Sequence, residues 1–127
     1  MSAKKSHDIA VSVHSEFLDE QSKPLDNRYV FAYTVTIHNR GTVPARLLSR
    51  HWVITDGNGD VREVRGEGVV GEQPVVSPGQ GYEYTSGAVL ETAVGTMQGS
   101  YQMLAEDGTR FDAAIPSFVL SIPRTLH

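Results

Sequence analysis

Apolar side chains recur at every second position along most of this chain. Tyr29, Phe31, Tyr33, Val35 and Ile37 give the longest run, with Thr34, Thr36 and His38 on the opposite side. Alternation of this length turns one face to a core and the other to solvent, and the β-branched and aromatic residues suit a pleated surface. Ile9, Val11, Val13 and Phe17 mark an earlier strand, interrupted on its apolar side by Ser15. Leu47 to Thr55 reads as a strand with Trp52 on the same side as Leu48 and Ile54. It ends at Asp56-Gly57-Asn58-Gly59, a turn signal because Gly and Asn tolerate positive φ, and Val61 to Arg65 returns as the hairpin partner. Further strands are predicted at Val75–Val76, Gly81–Thr85, Thr96–Leu104 and Arg110–Ile122, separated by Ser77-Pro78-Gly79, Ser86-Gly87 and Asp107-Gly108. Pro116 lacks the amide hydrogen a ladder needs, which assigns it to an edge, a bulge or a bend.

No window carries an apolar stripe at helical spacing, and glycines and prolines punctuate the chain at short intervals. The pattern predicts an all-β fold, an antiparallel β-sandwich of seven or eight strands, with a closed barrel as the alternative architecture. The 127 residues suffice for one domain, 1–127, with a core that requires no staples. The ends, 1–7 and 123–127, are expected to be loosely held.

The absence of cysteine removes disulfides, thiolate nucleophiles and Cys-ligated metals. Lys4 and Lys5 are followed by no apolar stretch, so no secretory signal is read, and no apolar run approaches the roughly 20 residues that span a bilayer. A cytoplasmic location is expected. The net charge of −4 argues against non-specific nucleic-acid binding. Arg40, Arg46, Arg50, Arg62 and Arg65 nevertheless cluster in the middle of the chain, where a local basic patch is conceivable.

Three constellations bear on chemistry. Gly66-Glu67-Gly68-Val69-Val70-Gly71 matches G-x-G-x-x-G, the turn that presents helix N-terminal amides to a pyrophosphate. Here Glu72-Gln73-Pro74 and Val75-Val76 follow instead of a helix, so the segment reads first as a tight loop between strands. The alternative is an anion-binding nest formed by Gly66, Gly68 and Gly71 with Arg62 and Arg65 nearby, giving a phosphate- or nucleotide-binding domain. His38 and His51 lie on separate strands and are candidate metal ligands if they meet, with Asp56 or Asp60 beside them, although no histidines stand at metal-ligand spacing. No G-x-S-x-G elbow occurs, and neither a catalytic set nor a cofactor is expected. Trp52, Tyr29, Tyr33, Tyr82, Tyr84 and Tyr101 are expected to fill the space between sheets, and any left exposed become candidate anchors for a protein partner.

The order of several segments resembles the ApaG family. They are Phe31-Ala32-Tyr33-Thr34-Val35-Thr36-Ile37, Leu47-Leu48-Ser49-Arg50-His51-Trp52, Gly66 through Pro74, Ser77-Pro78-Gly79, Tyr84-Thr85-Ser86-Gly87 and Gly95 through Tyr101. Ala93 departs from the pattern, where proline is expected. The resemblance implies a fibronectin type III-like or immunoglobulin-like sandwich without an established enzymatic activity. It also implies an association with cobalt tolerance and magnesium transport, and a protein-recognition role by analogy with similar domains in a eukaryotic F-box protein and a DNA polymerase delta-interacting protein. The expected function is therefore a non-enzymatic binding module whose partner is another protein.

Overall fold

The computed structural model describes residues 5–123. Their strands are β1 (Ile9–Phe17), β2 (Tyr29–Asn39), β3 (Ala45–Asp56), β4 (Val61–Glu67), β5 (Val75–Val76), β6 (Gly81–Leu90), β7 (Val94–Ala105) and β8 (Arg110–Ser121). Two single 3-10 turns, Asp19–Gln21 and Pro24–Asp26, occupy the β1–β2 connection. All pairings are antiparallel and form two sheets, one ordered β1-β2-β6 and the other β4-β3-β7-β8. The short β5 continues the β4 edge alongside Ala45 and Arg46 of β3. The fold is the expected sandwich, not the barrel.

Alternate residues of both sheets meet in one core. Tyr33, Val35, Ile37, Tyr84 and Leu90 from the first sheet face Leu47, Trp52, Met97, Tyr101 and Leu120 from the second. The aromatic residues expected between the sheets are there: Tyr33, Tyr84, Tyr101 and Trp52 are buried, and Tyr29 and Tyr82 are partly covered. On one side of the sandwich β1 lies against β8, where the Ser15 hydroxyl donates to the Val119 carbonyl at 3.0 Å. The other side, between β4 and β6, is more open.

Two bulges interrupt the strict alternation. In β3 the register on β7 slips between Leu47 and Ser49, so Leu48 is the extra residue. Leu47 and Trp52 are separated by an odd number of positions, yet both are fully buried. A bulge is what lets both face the core, because it resets the phase of the strand. The expected grouping of Leu48 with Trp52 is therefore corrected: Leu47 supplies the core residue and Leu48 is half-buried. In β8 a second register shift opposite Met97 and Gly99 accommodates Pro116 on this edge strand. It brings Ile115 and Phe118 to the same inner face.

Ser86-Gly87 does not end β6. These residues pair with Tyr33 and Ala32 of β2, whose long regular ladder keeps them extended up to Leu90. The loose ends expected at 1–7 and 123–127 fall mostly outside the described residues. His7 is held in place, with its ring on Phe111 (centroids 5.2 Å apart) and its Nε2 2.8 Å from the Asp107 carboxylate.

Asn39 closes one end of the sandwich. It is 1% exposed, and its side chain spends its polar atoms on neighbouring backbone: Nδ2 donates to the Val43 and Val76 carbonyls at 3.0 and 2.8 Å, and Oδ1 accepts from the Gly41 amide at 2.8 Å. Asn39→Leu strands these groups without partners. The expected result is a loss of about 3 kcal/mol in unfolding free energy with an unchanged urea m-value, measured by equilibrium denaturation.

Candidate functional site

The glycine segment forms a hairpin that projects from the open edge between β4 and β5. Val69 and Glu72 exchange both backbone hydrogen bonds, at 2.8 and 2.9 Å, around a turn whose central residues are Val70 (φ 43°) and Gly71 (φ 82°). Positive φ at both positions is the geometry of tight hairpin turns, and it suits glycine far better than valine. Gly68, at φ 61°, approaches so closely that a Cβ there would lie 2.2 Å from the Glu72 carbonyl oxygen. Val69 is buried in the core and Val70 is 56% exposed at the tip.

Three of the hairpin amides are engaged within the fold. The Gly68 amide donates to the Leu48 carbonyl, Val69 donates to Glu72, and Glu72 donates back to Val69. Carboxylates stand beside the loop: Glu67 and Glu72 line the same shallow depression as Gly68 and Gly71. No helix follows, since the chain passes into β5. Arg62 stands on the same strand six residues before Gly68, on the order of 20 Å away, and leans towards the Val89 carbonyl (3.5 Å). Arg65 is on the opposite side of β4. The anion-loop candidates Gly66, Gly68, Gly71, Arg62 and Arg65 are thus not brought together.

The guanidinium that does reach the loop belongs to Arg50, which the sequence did not single out. The Leu48 bulge turns Arg50 to the inner side of β3, in phase with Trp52. Its Nη1 donates to the Glu67 and Gly68 carbonyls at 3.0 and 2.8 Å, and its planar head occupies the space a side chain on Gly66 would need. The Leu48 carbonyl also accepts from Gln73 Nε2 at 2.9 Å, so both legs of the hairpin are pinned to the bulge. Tyr82 adds a third tie, its hydroxyl donating to Glu72 Oε2 at 2.8 Å.

Behind Arg50 lies a buried aromatic cluster. The Tyr84 and Tyr101 hydroxyls are hydrogen-bonded to each other, and Trp52 meets Tyr33 and Tyr101 edge-on at 5.3 and 6.4 Å. Burial raises the hydroxyl pKa of Tyr33 and Tyr101, and pushes that of Tyr84 up to about 12. At neutral pH these groups are protonated hydrogen-bonding residues, not bases.

His38 and His51 do not meet. His38 lies on the outer face of β2, and His51 on the outer face of β3 in the other sheet, where its Nε2 is 2.8 Å from Glu63 Oε1. The whole thickness of the sandwich separates them, which removes the shared metal site. Among the described residues no group of three or more His, Asp or Glu is placed to hold a metal ion. The central arginines also form no single patch. Arg50 and Arg62 turn inward, Arg65 outward, and Arg40 lies 3.6 Å from Asp8. Among the described residues no helix is long and apolar enough to cross a membrane.

The ApaG domain matches residues 19–105, from the first 3-10 turn to the end of β7. The chain belongs to the ApaG family. It is 62% identical over its whole length to Protein ApaG of Azoarcus sp. (strain BH72), and 62% identical over 121 residues to that of Pseudomonas aeruginosa (strain LESB58), with 95% of this chain and 96% of that protein covered. A crystal structure of an ApaA protein from Bordetella pertussis superposes with a TM-score of 0.93 at 51% identity, covering 97% of this chain and all of that one. The C-terminal domain of wzt shares the fold alone, at a TM-score of 0.55 and 12% identity, with coverage of 98% and 78%. The ApaG match contains the glycine hairpin, Arg50 and the tyrosine cluster. It leaves out β1 and β8, which close the far side.

Arg50→Ala removes two charge-assisted bonds and the cover over Gly66. The expected loss is about 2 kcal/mol by chemical denaturation, with faster amide exchange across Gly68–Gln73. High pH tests the tyrosines. Their folded pKa values exceed the ordinary 10, so the unfolded chain releases protons first as pH rises and the folded state loses its advantage. Unfolding free energy should be level below about pH 10 and fall by up to about 1.4 kcal/mol per pH unit per tyrosine between about 10 and 12. Tyrosinate absorbance from the buried residues should then appear together with unfolding.

Proposed function

We propose that the chain is a protein-recognition module that uses the Gly68–Gln73 hairpin as its contact element and Val70 as the anchor. The exposed, left-handed Val70 carries this reading. A β-branched residue in that conformation costs about 1–3 kcal/mol, which folding alone gives no reason to retain at a solvent-facing tip. Glycine or asparagine would suit the turn better. A strained apolar side chain held out to solvent is suited to entering a pocket on another protein.

The support beneath the tip favours the same reading. Val69 is rooted in the core, Arg50 and the Leu48 carbonyl fix both legs, and Tyr82 holds Glu72. A loop ordered before contact loses little entropy on binding. Glu67 and Glu72 beside the apolar tip select a pocket with a basic rim. This is recognition rather than catalysis, and it makes any link of the family to cobalt or magnesium a consequence of a protein contact.

The test separates strain from binding. Val70→Gly should raise unfolding free energy by about 1 kcal/mol, because it relieves the left-handed valine, while weakening a purified partner's affinity about tenfold or more. The partner is the protein recovered from cell extract by the wild-type chain, and its affinity for both forms is then measured by calorimetry. Equal affinity for both forms contradicts the reading.

A further inference from the structure

The β4 edge carries a pattern that the hairpin does not use. Asp60 and Gly68, which bracket β4, exchange hydrogen bonds with β3: the Asp56 amide donates to the Asp60 carbonyl and the Gly68 amide to that of Leu48. The β3–β4 register runs unbroken from Thr55↔Val61 to Ser49↔Glu67. Backbone groups in an antiparallel ladder alternate in direction, so Arg62, Val64 and Gly66 also point theirs at β3. Val61, Glu63 and Arg65 point their amides and carbonyls outward, and Glu67 its amide, its carbonyl being held by Arg50, along an edge that no other strand of the described residues covers.

We infer that this edge pairs with the β4 edge of a second copy of the chain, antiparallel about a two-fold axis through Val64. Three observations converge on that occupant and that register. Val64 is the midpoint of Val61–Glu67, so this register overlaps the whole strand. It pairs odd-numbered residues with odd-numbered ones, as the outward backbone groups require. It also sets Glu63 opposite Arg65 of the second copy, and Arg65 opposite Glu63, on the outer face.

Neighbouring registers lack this fit. Moving the axis to Glu63 faces that carboxylate with its own copy. Moving it to Arg65 faces arginine with arginine and Glu63 with Glu67. Opposite charges directly across strands stabilise a pair, and like charges oppose it. A two-fold contact needs a self-complementary surface, and the sequence Glu63-Val64-Arg65 is one.

The inner face agrees. Val64 is half-buried and meets its symmetry mate at a non-hydrogen-bonded position, where side chains approach most closely. Arg62 falls opposite Gly66, where the Arg50 guanidinium takes the place of a side chain. The nearby Arg50 is committed to the Glu67 and Gly68 carbonyls, and Arg62 leans away towards Val89.

Sedimentation equilibrium of the purified full chain tests this from micromolar to millimolar concentration, and it is independent of any partner at Val70. The mass should rise from 13.9 kDa towards twice that value. Glu63→Arg and Arg65→Glu should each raise the dimer dissociation constant about tenfold, and combining them should restore it because the pairs are reinstated in reverse. Thermal melts check that each variant is folded. Should a variant fail to fold, concentration-dependent amide shifts of the wild-type chain decide the matter, expected at Val61, Glu63 and Arg65. A wild-type chain that stays at 13.9 kDa overturns the inference, as does a dimer indifferent to all three variants, or amide shifts confined to another surface.

Discussion

The extra residue at Leu48 is the constraint on which the rest of the molecule depends. Without it, β3 would turn either Leu47 or Trp52 to solvent, since the two are an odd number of positions apart and both are fully buried. The bulge lets one strand serve the core along its whole length. It also carries Arg50 to the inner side, and it frees the Leu48 carbonyl to accept from both Gly68 and Gln73. Core packing and loop anchoring are thus set by one irregularity.

From this point the glycine segment takes its meaning. In a dinucleotide site the glycines clear space so that backbone amides reach a phosphate. Here Gly68 clears space for the Glu72 carbonyl and Gly66 for the Arg50 guanidinium. The same residue spacing serves the opposite electrostatics, with carbonyls gathered around a cation and carboxylates at the rim. The charge the loop offers a partner is therefore negative, and its apolar tip is a single valine.

Much of the architecture was legible because period-two alternation reports which face of a strand is buried. The β2 run from Tyr29 to Ile37 follows from it directly, while the Asp56–Gly59 turn and the return along β4 follow from the turn chemistry of Gly and Asn. What alternation does not show is a change of phase. Leu48 and Pro116 mark the two places where it changes, and Pro116 announced itself by its missing amide while Leu48 looked like any strand residue. For that reason alternation groups Leu48 with Trp52, and Arg50 stands in the sequence as one charge among several. Ser86-Gly87 looked like a break because local propensity favours a turn, and the long β2 ladder overrode it. The histidines show a different limit: His38 and His51 sit on neighbouring stretches of sequence, but assignment to separate sheets is a tertiary fact. The glycine spacing located the loop without indicating how it is held.

Native-state hydrogen exchange at individual amides tests the role of the Leu48 bulge most directly. If both hairpin legs are fastened to it, the Gly68 and Val69 amides should exchange as slowly as the central amides of β3, while Val70, one residue further, exchanges freely. Gly68 and Val69 exchanging as fast as Val70 would mean that the hairpin is not anchored at the bulge, and the account of the site would be wrong.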